Sequence, residues 1–211
     1  MQKVFDFFDA VFCINLNKRK DRWKLAQEEF DDIGILEQVK RFSAIEKKDG
    51  RLGVIKSHLE IIKYAKNNNL NNVLVFEDDV VFLDNNFQKS LQNAISQLPL
   101  NWDLFYLGAN LHVPLDNYSE NLVKLKNGFA AHAITYNKNI FDNFIQKYDA
   151  LSKIVLYTDI LDVWLADYIQ NRNNSYLVKP LLATQRNSYS DIEKYNVNYS
   201  FIEERYKKFV R

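Results

Sequence analysis

Several residue types are scarce in this chain, and each scarcity rules something out. Among 211 residues there is one cysteine, Cys13, so no intrachain disulfide can form and a reducing compartment is the natural expectation. Set in Ala10-Val11-Phe12-Cys13-Ile14, that thiol reads as a small core side chain rather than a nucleophile. Five glycines and three prolines provide neither a Gly-rich phosphate loop nor a linker that would divide the chain. No run approaches the ~20 apolar residues that span a bilayer. The opening Met1–Asp9 carries acids where a secretion signal needs an unbroken apolar stretch. Charge of one sign is also missing. The net charge of +1 gives no long-range pull on nucleic acid.

A hydrophobic fraction of 47% and an aromatic fraction of 14% are enough for a real core, and the length suits one domain spanning residues 1–211. Hydrophobic periodicity predicts strands at Val11–Leu16, Val39–Ser43, Val73–Phe76 and Asp103–Leu107. Helices are predicted at Lys18–Ile33, Gly53–Lys66 and Phe87–Gln97. Strands alternating with helices predict an α/β fold with a mainly parallel sheet and right-handed crossovers. Beyond Leu107 shorter strands are expected at Leu111–Val113, Leu122–Leu125 and Phe129–Tyr136. Helices follow at Asn139–Tyr148 and Asp159–Gln170, then a last strand at Ser175–Val178. This half predicts a smaller mixed or antiparallel part.

Glu77-Asp78-Asp79, at the end of the apolar run Val73–Phe76, is the most informative feature present. Adjacent carboxylates repel unless a cation compensates them. An extended backbone would put Glu77 and Asp79 on one side and Asp78 on the other. Two oxygen donors at a strand's carboxyl end suit a hard divalent cation shared with phosphate oxygens. Taken alone, the same triplet also reads as a solvated acidic turn.

Other segments are weaker singly. Ile14–Trp23 joins the first strand to the first helix, where backbone N–H groups with Arg19 and Arg22 can hold a phosphate or a base. Gly53 permits close backbone approach, and Ser57 and His58 offer donors. His132 lies among small residues, where a polar side chain needs a partner. Thr158, Asp159 and Asp162 open a predicted helix, and capping explains them fully. Either aspartate is also a candidate base toward an acceptor hydroxyl, and position alone does not choose between them.

In this order the segments resemble glycosyltransferase family 25, which includes bacterial lipooligosaccharide galactosyltransferases and collagen hydroxylysine galactosyltransferases. The matching pieces are Ile14-Asn15-Leu16 with Arg19, Asp21 and Arg22; Gly53 with Ser57-His58-Leu59; Phe76-Glu77-Asp78-Asp79; and Trp102–Gly108. Ala133–Tyr136, Thr158-Asp159 with Leu165, and Pro180 with Gln185 and Ser190-Asp191-Ile192 complete them. The resemblance implies a GT-A-like fold, a UDP-sugar donor and Mn²⁺ or Mg²⁺ at the acidic triplet. It also implies net inversion as a hexose, galactose or glucose, passes to a hydroxyl of a glycan, glycolipid or hydroxylysine-type acceptor. It implies Glu77 and Asp79 as metal ligands. The implied donor contacts are Asn15, Leu16, Arg19, Arg22, Ala44, Ser57, His58, Glu77, Asp78 and His132, the last standing where an aromatic residue is usual.

A catalytically silent nucleotide-sugar-binding or scaffolding protein is the alternative. A nucleotidyltransferase using the same carboxylates is a third, weakened by the missing phosphate loop. The expected setting is the cytoplasm, as a bacterial or viral enzyme. The aromatic and basic segment Phe201–Arg211 is the candidate for peripheral membrane contact, with a solvated terminal helix as its simpler account.

Overall fold

A computed structural model describes residues 4–210; Met1–Lys3 of the opening segment and Arg211 lie outside the described residues. In chain order the elements are β1 (Val11–Asn15), α1 (Lys20–Asp32), β2 (Val39–Ser43), α2 (Gly50–Asn67), β3 (Asn72–Glu77), β4 (Val80–Phe82), α3 (Phe87–Ser96) and β5 (Leu104–Tyr106). They continue as β6 (Asn110–Leu111), β7 (Leu122–Lys124), β8 (Gly128–Phe129), β9 (Ala133–Asn137), α4 (Phe141–Tyr148) and α5 (Leu161–Trp164). The last are β10 (Ser175–Val178), β11 (Ala183–Gln185), β12 (Ser188–Tyr189), β13 (Asn196–Val197) and α6 (Phe201–Phe209).

Seven strands form the central sheet in the order β2-β1-β3-β9-β5-β10-β7. β1 pairs in parallel with β2 and β3, and β5 with β10. β9 runs antiparallel between β3 and β5, and β7 runs antiparallel at the far edge. The antiparallel strands of the second half therefore join the same sheet. The pairs β4-β11, β6-β8 and β12-β13 stand apart from it.

Alternating side chains sort onto two cores, as a two-residue period requires. Phe12, Ile14, Val73, Val75, Leu104, Tyr106, Ile134 and Tyr136 face a core shared with α2, α4, α5 and α6. Val11, Cys13, Leu74, Phe76, Phe105 and Ala133 face the other, shared with α1 and α3. The molecule is thus a three-layer α/β sandwich. Cys13 is fully buried, and burial first, then the nearby Asp78, pushes its thiol upward.

Local chemistry moves several boundaries. α2 begins three residues before Gly53 because Asp49 accepts the Arg51 N–H at 3.1 Å as an N-cap. Gly53 instead serves close packing, since a Cβ there would meet the Ile45 carbonyl at 2.6 Å. The single strand expected over Phe129–Tyr136 divides into β8 and β9 at Ala130, whose φ is +69°. The helix expected from Asp159 to Gln170 is likewise interrupted. Ile160 is extended (ψ 136°), so Asp159 ends a 3-10 turn and α5 begins only at Leu161. A π turn over Leu165–Ile169 follows, ending where the Gln170 amide bonds both the N–H and C=O of Gly128. β11, β12 and β13 have no counterpart in the predicted elements, being two or three residues long.

Candidate active site

The carboxyl ends of β1, β2 and β3 open into one cleft, as expected for ligands of an open α/β sheet. Ile14 lines it from β1 and Leu16 from just past it, Ala44 from just past β2, and Glu77 from the end of β3 with Asp78 and Asp79 of the turn that follows. Gly53, Val54 and Ser57 of α2 form a wall, and Ser190-Asp191-Ile192 of the tail closes over it. A second cleft adjoins the first. Glu77, Val54 and Ile192 line both, and the second adds Ala130, Ala131, Asp162, Gln185 and Tyr199.

The acidic triplet does not keep extended geometry. Asp78 and Asp79 form the turn into β4, so both aspartates face one guanidinium. Arg22 places Nε 3.0 Å from Asp78 Oδ1 and Nη2 2.5 Å from Asp79 Oδ2. The alternation expected for the triplet is therefore corrected: Asp78 lies beside Asp79, not opposite it, because a turn replaces the strand. Asn15 Nδ2 donates to Asp78 at 2.6 Å, and Arg41 donates to Asn15 Oδ1 at 2.7 and 2.9 Å. The Arg186 N–H holds the Asp79 carbonyl at 2.7 Å, and Arg186 in turn pairs with Glu29 at 2.6 Å. The turn is braced from behind by this chain of contacts.

Glu77 differs from its neighbours. Among the described residues its side chain has no hydrogen-bond or ion-pair partner, and its N–H is spent on the His132 carbonyl at 2.9 Å. Burial, then the charges of Asp79 and Asp78, push its carboxyl up to about 8. Burial likewise lifts Asp78 to about 6, against the opposing pull of Arg22. Such a site has more negative charge than Arg22 compensates, and its donors are hard oxygens. No group of three His, Cys, Asp or Glu residues converges on a cation among the described residues. One or two carboxylates nevertheless suffice for a cation that arrives with phosphate oxygens, and Glu77 with Asp79 fits that case.

The two late aspartates part company. Asp159 accepts from Lys147 Nζ at 2.9 Å and from the N–H groups of Val155 and Leu156 at 3.0 and 2.9 Å. Those backbone bonds, with Lys147, hold its carboxyl down at about 2. It caps a turn and lines neither cleft. Asp162 lies in the second cleft, accepting the Val163 N–H at 3.0 Å and the Ala130 N–H at 3.4 Å. Burial raises its carboxyl, the direction that suits a base working near neutrality.

Of the other predicted donor contacts, Leu16, Arg22, Ala44 and Ser57 line the first cleft, while Asn15 supports it from beneath. Ser57 Oγ is already engaged, donating to the Gly53 carbonyl and accepting the Ile45 N–H, both at 2.8 Å. Arg19 sits outside the lining, paired with Asp21 and Asp191 where the tail meets the β1–α1 junction. His58 and His132 are not in either cleft. His58 is fully buried with Nδ1 2.9 Å from the Tyr136 hydroxyl, and burial pushes its ring down to about 3. His132 is packed against Gly108 behind the acidic turn, its ring lowered by burial to about 4. Both are neutral core imidazoles. Gln185 and Tyr199 also line the second cleft; Gln185 has a signal in sequence, standing in the motif series from Pro180 to Ile192, whereas Tyr199 has none.

A family model described as glycosyltransferase family 25 (LPS biosynthesis protein) matches residues 48–159, which include the acidic turn and α2. The chain belongs to glycosyltransferase family 25. Human procollagen galactosyltransferase 2 is 29% identical over 130 residues, covering 48% of this chain and 21% of that protein. The procollagen lysyl hydroxylase and glycosyltransferase of Acanthamoeba polyphaga mimivirus is also 29% identical over 130 residues, covering 58% of this chain and 12% of that protein. The family 25 chain thus matches only a minor part of these relatives. Its fold resembles a glycosyltransferase involved in glycosylating the major capsid of PBCV-1, with a TM-score of 0.55 at 9% identity over 80% of this chain and 79% of that one. That likeness, with the observed sheet order, places the fold among the GT-A-like α/β folds.

Proposed function

We propose that this family 25 glycosyltransferase moves galactose or glucose, with inversion, from a UDP-sugar in the first cleft to an acceptor hydroxyl in the second. The observation that carries this is Glu77, which lines both clefts and whose side chain has no ion-pair or hydrogen-bond partner among the described residues. The acceptor class is a glycan, glycolipid or hydroxylysine-type hydroxyl, and lipopolysaccharide assembly fits within it. A bacterial or viral cytoplasmic setting accords with Cys13 standing alone and buried.

In the proposed reaction the acceptor oxygen bonds to the anomeric carbon as the bond from that carbon to the diphosphate oxygen breaks. Asp162 takes the hydroxyl proton, and the electron pair of the broken bond stays on UDP. Glu77 and Asp79 would hold Mn²⁺ or Mg²⁺, which offsets the charge that develops on the diphosphate. Arg22 is the cation already paired with the acidic turn. With the diphosphate bound, its guanidinium has phosphate oxygens to bond in place of the aspartates. Asp78, held by Asn15, is left to the ribose or the donor sugar.

UDP release from a panel of UDP-sugars, with Mn²⁺ and with chelator, tests this on wild type and Asp79→Ala. Metal-dependent turnover of one donor, lost in the variant, is expected. Release of pyrophosphate instead of UDP would move the chain to nucleotidyl transfer. Absence of both turnover and UDP binding would overturn the proposal.

A further inference from the structure

The outer wall of the two clefts carries two features that catalysis does not use. The first is a groove beside the opening, reached by Lys47, Lys48, Lys153 and Lys194. None of the four has a carboxylate partner among the described residues. Arg51 and Asp49, also at the groove, neutralise each other at 3.0 Å, leaving Glu193 as the remaining acid of the lining. In a chain of net charge +1 this is a concentrated surplus of positive charge.

The second feature is the loop that forms one wall of that groove through Ser152, Lys153 and Ile154. Its next three residues are apolar and turned outward: Val155, Leu156 and Tyr157 are 67%, 61% and 71% exposed. Isolated exposed apolar residues are ordinary, but three in succession at a loop tip are not. The tip is also rigidly held from within, because Asp159 accepts the N–H groups of Val155 and Leu156 and is fixed by Lys147. The apolar side chains are thus presented outward by a buried carboxylate.

Lysines without partners beside outward apolar and aromatic side chains are complementary to the headgroup layer of an anionic bilayer. The lysines meet lipid phosphates and the apolar tip enters the acyl boundary. We propose that the Val155–Tyr157 tip and the lysine groove dock this protein on an anionic membrane surface. The groove shares Lys47, Gly50, Ile192 and Lys194 with the first cleft and Arg51, Ile192 and Glu193 with the second. Docking through it sets the cleft openings against the headgroups, where a lipid-linked hydroxyl would lie. α6 is not this surface. Its Phe201, Tyr206 and Phe209 pack against the core, and its outward side carries Glu204 beside Lys207 and Lys208.

The docking stands apart from the proposed chemistry and is tested without it, by co-sedimentation with vesicles. Wild type is expected to sediment with phosphatidylcholine–phosphatidylglycerol vesicles, to be released by high salt, and to ignore pure phosphatidylcholine. Lys48→Glu with Lys153→Glu, residues outside both clefts, should weaken partitioning about fivefold or more per lysine, as expected for roughly 1 kcal/mol per basic residue at an anionic surface. Leu156→Asp should weaken it comparably, and Lys207→Glu with Lys208→Glu should leave it unchanged. Circular dichroism and UDP binding, measured on each variant, report folding and the nucleotide site separately. No sedimentation with anionic vesicles, equal sedimentation with neutral ones, or binding unaffected by the loop and groove variants would each overturn the proposal.

Discussion

Two acidic turns in this molecule solve the same problem differently. At Asp78-Asp79 the protein meets both carboxylates with one guanidinium and leaves Glu77 without an ion-pair partner among the described residues. At Asp159–Asp162 it saturates the first carboxylate with a lysine and two N–H groups and leaves the other facing a cleft. In each turn one group is structural and another is left partly uncompensated. The uncompensated ones, Glu77 and Asp162, share a cleft, and the charge of Asp162 is among those that raise Glu77. Reactivity is therefore best sought at the carboxylates that the fold does not neutralise.

The contrast between Asp162 and Asp159 is the sharpest place to break this comparison. Asp162→Asn keeps the shape and removes the proposed base, so turnover should fall about 10²–10⁴-fold with UDP binding intact. Equal losses in Asp159→Asn and Asp162→Asn, in steady-state UDP release, would abolish the distinction.

Asp159→Asn should instead cost stability, roughly 2–3 kcal/mol at neutral pH, through weakened charge-assisted bonds. The carboxyl is held at about 2 in the fold against 3.8 when free. The stabilisation is thus complete above the free value and is lost as pH falls through about 2. Urea unfolding of wild type and variant should converge in acid; a gap that persists at pH 2 would contradict the assignment.

Arg22→Met gives the smallest effect, about tenfold, in two opposite directions. UDP should bind more weakly, while Mn²⁺ alone should bind more tightly because Asp79 is no longer paired. Titration of free Mn²⁺ by electron paramagnetic resonance separates the two. Unchanged Mn²⁺ affinity would show that Arg22 and the cation do not compete for the same oxygens.

Much of the framework around these clefts is legible in residue order. Apolar runs placed β1, β2, β3 and β10 within a residue or so, and the acidic triplet marked a strand end. What misled was local geometry. Period-two reasoning fails at Asp78-Asp79 because a turn begins one residue after Glu77. The choice between Asp159 and Asp162 depended on the extended backbone of Ile160, which no side-chain pattern announces. His58 and His132 looked like donors because a sequence gives residue type without depth. The Tyr136 hydroxyl that meets His58 Nδ1 lies 78 positions away.

β9 carries a consequence of its own. It enters the sheet where β3 leaves it, with His132 accepting the Glu77 N–H and Phe76 opposite Ala133. Two residues upstream, Ala130 touches Asp162. One hydrogen-bond ladder thereby measures the span between the acidic turn and Asp162. A slip of two residues would keep every β9 side chain on its own face yet shift this ruler by roughly 7 Å. The register of β9 thereby sets the distance between the two clefts, independently of which core its side chains face.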